Sequence, residues 1–79
     1  MIPYEINHET SYFVAGVLYD DTGFIAFPGG HDEFRSAARK ARLLAAALKQ
    51  AGETGLRPHV HYRGERPKNF PRNGVPVSP

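Results

Sequence analysis

Two histidines one residue apart, His59 and His61, and four cations at helical spacing, Arg35, Arg39, Arg42 and Lys49, are the side chains whose types and spacing suggest chemistry. On a strand, His59-x-His61 puts two imidazoles on one face, a spacing that metal sites use. A third ligand would have to come from His8, His31 or an acid, and the chain has neither Cys nor a His-Glu-x-x-His helix to support such a site. The pair therefore reads as partly exposed strand histidines near Arg57 and Arg63 which, if exposed, add positive charge below pH ~6.5. No metal or other cofactor is expected.

The cations carry a stronger signal. Arg35, Arg39, Arg42 and Lys49 recur on one stripe of a helix, and guanidinium forks match both carboxylates and phosphates. Arg63 precedes a second basic stretch, Arg66, Lys68 and Arg72, with Phe70 between the last two. Such a segment could fold over a protein groove or a nucleic acid. The charge layout as a whole is polarised. The first 33 residues carry six acids (Glu5, Glu9, Asp20, Asp21, Asp32, Glu33) and no Lys or Arg, while the remainder holds all ten bases against Glu53 and Glu65. Polarity of this kind bears on partners more than on fold.

Other motifs are weaker. Gly29-Gly30 before a helix could cradle phosphate, but Asp32 and Glu33 already occupy that positive end and no P-loop Lys follows. Ser11, Ser36 and Ser78 lie in no nucleophile-elbow context. Asp20-Asp21 lacks the spaced acids of a calcium loop. Pro76-Val-Ser-Pro79 matches PxxP, a spacing common by chance. The expectation is a non-enzymatic protein.

The elements that must position these residues are few. A chain of 79 residues fits one small domain with a thin stability margin. It has no Cys, which suits a reducing cytoplasm and excludes disulfides. No secretory signal is visible at its start, and its longest apolar run, Tyr12 to Tyr19, falls far short of a membrane span of about 20 residues. A soluble cytoplasmic protein is expected, with no membrane partner.

Ile2, Tyr4 and Ile6 alternate with polar residues and Pro3, which predicts a short first strand at an edge. Tyr12–Tyr19 is apolar on both alternating sets, as a central strand would be, and Asp20-Asp21-Thr22-Gly23 turns it into Phe24–Phe27. A helix is predicted from Asp32, its cap, to Ala51, ended by Gly52. Phe34, Ala37, Ala38, Ala41, Leu44, Ala45 and Leu48 form its apolar stripe, with Leu44 and Leu48 expected in the core. Arg57–Arg63 is predicted as the last strand, Val60 and Tyr62 facing one way and His59 and His61 the other.

From Gly64 the chain is rich in Pro with little periodicity, either a disordered tail or an extended arm lying on something. The expected fold is α+β: an antiparallel sheet of three to four strands (β-β-β-α-β) with one amphipathic helix on one face, over residues 1–63. An extended Pro-rich basic tail follows over residues 64–79.

The hairpin from Ser11 to Phe27 and the Ala-rich helix from Phe34 to Leu48 give residues 2–63 a layout that resembles the small phage-encoded anti-CRISPR proteins acting on type I effector complexes. That group shares no sequence motif, so no functional residue carries over. The Arg-, Ala- and Pro-heavy usage is compatible with a GC-rich bacterial or phage source. The resemblance implies a stoichiometric inhibitor in a bacterial host cell, occupying a subunit surface needed for target-DNA binding and catalysing nothing. Since the net charge is +2, the physical picture is Arg side chains meeting acidic patches rather than a mimic of DNA. The alternative is a small nucleic-acid-binding domain using the same basic residues, with Tyr or Phe on an open sheet face for stacking.

Overall fold

The computed structural model describes residues 10–19, 23–66 and 69–78. The expected first strand at Ile2–Ile6 and the turn residues 20–22 lie outside them. Four strands, β1 (Tyr12–Tyr19), β2 (Gly23–Ala26), β3 (Leu56–Arg63) and β4 (Val75–Pro76), and one helix, α1 (Phe34–Gln50), make up the fold. The sheet is antiparallel throughout, in the order β2-β1-β3-β4. The architecture is α+β, with α1 packed on β1 and β3.

β1 is central because both of its alternating sets are apolar. Phe13, Ala15 and Val17 are fully buried, and they face α1 together with their β3 partners Tyr62, Val60 and Pro58. Tyr12, Val14, Gly16 and Leu18 face the other way, opposite Arg63, His61, His59 and Arg57. The alternation predicted for β3 is therefore the one observed.

α1 contributes Ala37, Ala38 and Ala41 to the core. Small side chains let the helix backbone approach the sheet closely. Leu44 and Leu48 are only half-buried, which corrects their expected core position: the helix settles on its alanines, and both leucines fall to the flanks of the contact. Glu33, not Asp32, is the N-cap, with extended backbone and no side-chain capping bond. At the other end Gly52 takes φ +97°, its N–H donates to the Lys49 carbonyl, and Glu53 N–H donates to Leu48. This is the paired-bond glycine stop expected from the sequence.

The C-terminal segment is part of the domain, a correction to the boundary placed after residue 63. Phe70 is 4 % exposed and Val77 9 %. Phe70 lies against Phe13 (centroids 6.0 Å) and edge-on to Tyr62 (5.1 Å), while Phe34 meets Phe13 edge-on (5.8 Å). Val75 then pairs with Val60, and Val77 N–H donates to the Pro58 carbonyl at 2.9 Å. The physical reason is volume. An alanine-faced helix on three strands leaves space that only a large apolar side chain fills, and so small a domain has little other surface to bury. Pro76, the first proline of the PxxP match, sits in β4 opposite His59 and is committed to the sheet.

Candidate partner-binding surface

Four of the five cations of α1 lie on one flank. Arg35, Arg39, Arg42 and Lys49 are all exposed, and helical periodicity sets them on one stripe beside the buried alanines. Arg42 donates from Nε to the Ser78 carbonyl at 2.8 Å, which turns this stripe toward β4. The opposite flank faces β2: Lys40 Nζ lies 5.7 Å from the centre of the Phe27 ring, a cation–π contact beside the end of that strand. Arg35, Arg39 and Lys49 make no hydrogen bond or ion pair among the described residues. They are open to a partner, whereas Arg42 is already used to hold the end of the chain.

Below Arg42 and Lys49 runs an open groove of about 720 Å³. Ala45, Ala46, Leu56 and Pro58 give it an apolar floor, and Gly52–Gly55 with Glu53 close its end. It exists because β4 spans two residues while β3 spans eight, so the first turn of β3 has no outer neighbour. Nothing in the sequence signals this groove. It depends on where the C-terminal segment stops pairing.

The other expected contact residues are placed apart from the flank. Arg63 is exposed at the end of β3 on the helix-free sheet face, directly across from Tyr12, itself 40 % exposed. Arg66 and Arg72 are exposed on the connection between β3 and β4, and Lys68 lies outside the described residues. The described cations among those expected therefore do not form one continuous patch. The sequence reading did not single out Arg57, which shares the helix-free face with Arg63. Four acids of the N-terminal part, Glu5, Glu9, Asp20 and Asp21, also lie outside the described residues.

Among the described residues no group of three or more His, Cys, Asp or Glu is placed to hold a metal ion. His59 is 7 % exposed and donates from Nδ1 to the Arg57 carbonyl at 3.0 Å. His61 stacks on Phe24 with ring centres 3.9 Å apart, and its Nε2 is enclosed with no hydrogen-bond partner. Two glycines make room for this stack. A side chain at Gly16 would overlap the Phe24 ring, and a Cβ at Gly74 would stand 2.7 Å from His61 Nε2. Desolvation, with His59 adding like-charge repulsion, holds His61 below its ordinary value of 6.5. His31 is lowered too, by burial and then by Lys40, against an opposing pull from Asp32. No helix among the described residues is long and apolar enough to cross a membrane.

Comparison with protein-family models, with curated proteins and with solved structures returns no match, so the functional reading rests on this chain's own residues.

Proposed function

We propose that this chain is a non-enzymatic binding domain that docks an acidic protein surface through the β4-side flank of α1. The observation carrying this reading is the stripe of exposed Arg35, Arg39 and Lys49 on α1, which has no bonding partner among the described residues and ends, at Lys49, on the lining of an apolar groove. A cationic stripe that leads to an apolar groove suits a partner that presents carboxylates next to apolar side chains. Inhibition of a type I CRISPR effector complex in a bacterial host, by covering a subunit surface needed for target-DNA binding, is the finer form of the proposal. It rests on the layout resemblance alone.

The test is capture of a partner from a host lysate with the parent chain and with Arg35→Glu, Arg39→Glu and Lys49→Glu combined. Arg42 is left intact because its bond to Ser78 is internal. Loss of capture by a variant with an unchanged circular dichroism spectrum supports the flank, and retained capture removes it.

One observation favours a second reading. Tyr12 and Arg63 are direct cross-strand partners, both exposed on the helix-free face, an aromatic–cation pair of the kind that holds single-stranded nucleic acid. Gel-shift titration at two salt concentrations separates the two. Binding that weakens steeply with salt and is lost in Tyr12→Ala favours nucleic acid.

A further inference from the structure

The two edges of the sheet are built differently. On the β4 side the outer strand is short, Pro76 supplies no N–H, and charged Arg57 stands in the part of β3 that β4 leaves uncovered. Proline and charge at an edge are the devices that prevent strand addition. The β2 edge has neither. From Gly23 to Gly30 the chain contains no charged residue, and proline appears only at Pro28, past the strand. Ile25 is 43 % exposed.

Register fixes which backbone groups are free. Phe27 N–H donates to the Ala15 carbonyl, so the odd-numbered residues of β2 turn their backbone toward β1. Phe24 and Ala26, which alternate with them, turn theirs outward. Among the described residues nothing pairs with that outer edge.

We propose that β2 is the interface at which a second copy of this chain adds antiparallel, giving one sheet continuous across a twofold axis at Ile25. In that register Phe24 of each copy lies opposite Ala26 of the other, and each such pair exchanges both N–H···O=C bonds. The two Ile25 residues form a non-hydrogen-bonded pair with Cα atoms about 4.5 Å apart, their side chains together on the helix side. An exposed apolar residue on one chain thus meets its own copy. The charge layout agrees. Arg35, Arg39, Arg42 and Lys49 lie on the β4 side, away from the axis, and Lys40, on the β2 side, sits over the Phe27 ring. β2 itself brings no charged side chain to the contact, and both basic flanks remain open.

Two measurements test this interface. The first is sedimentation equilibrium of the intact chain up to about 1 mM, the weak end of specific association. A dimer is expected, and Ile25→Lys, a change at an exposed side chain, is expected to abolish it while leaving the far-UV spectrum unchanged. The second uses the lack of native Cys. Ile25→Cys is expected to form a symmetric disulfide on mild oxidation, because a gap of about 4.5 Å lies within the ~4.4–6.8 Å window that disulfides span. Lys49→Cys, on the far flank, is expected not to. A monomer at every concentration, a dimer that survives Ile25→Lys, or equal crosslinking at both cysteines would overturn the proposal.

Discussion

Arg42 of α1 donates from Nε to the carbonyl of Ser78, 36 positions away in sequence, at 2.8 Å. The bond ties the last described turn of chain to the helix flank, just after Val77 has bonded Pro58. Replacing Arg42 with Ala is expected to cost about 0.5–1.5 kcal/mol, the usual range for one such bond. Hydrogen exchange at the Val77 amide should quicken well before exchange at β1 amides does. Equal acceleration across the sheet would mean that the bond supports the whole domain rather than its end.

Phe70 should matter far more. Its ring fills the space between Phe13 and Tyr62 and is 4 % exposed. Phe70→Ala is expected to cost about 3–5 kcal/mol, enough to unfold much of so small a domain. Truncation after Gly64 should act alike. Urea unfolding monitored by circular dichroism reads both, and a truncated chain of unchanged midpoint would restore the boundary at residue 63.

Gly16 is the floor under the Phe24–His61 stack. Gly16→Ala drives a methyl group into the Phe24 ring and the Ile25 carbonyl, and a cost of about 1–3 kcal/mol is expected from overpacking. Carbon shifts of the His61 ring should move with it as Phe24 is displaced.

Stability should depend on pH through His61. Burial first, and His59 second, hold its folded-state pKa below the ordinary 6.5. At pH values above 6.5 both folded and unfolded states carry it neutral, and its effect on stability is nil. As pH falls below 6.5 the unfolded chain takes up the proton first, so stability drops until the folded-state pKa is passed. His31, shifted the same way, adds to the slope. Chemical-denaturation midpoints between pH 7.5 and 5, roughly the range in which imidazole titrates, should fall with acid. The slope should be shallower in His61→Gln, and an unchanged slope would exclude His61 as a source.

Much of the fold is legible from residue order alone. The two apolar sets of Tyr12–Tyr19 mark a central strand, Gly52 marks the helix stop, and the alternation of His59, Val60, His61 and Tyr62 assigns β3 its two faces. These follow from periodicity and from glycine's access to positive φ, which are properties of a few neighbouring residues. The helical spacing of Arg35, Arg39, Arg42 and Lys49 is local in the same sense.

Tertiary structure decided what depends on distant partners. Phe70 and Val77 read as tail residues because no local periodicity marks them as apolar-face positions, and their partners Phe13, Tyr62 and Pro58 come from other strands. Whether Arg42 serves a partner or its own chain depended on where Ser78 came to rest. So did the groove, whose floor is left open by a two-residue β4. Local pattern sets which face of each element is apolar. Only closure of the whole chain, where volume must be filled and edges must end, determines which surfaces remain for another molecule.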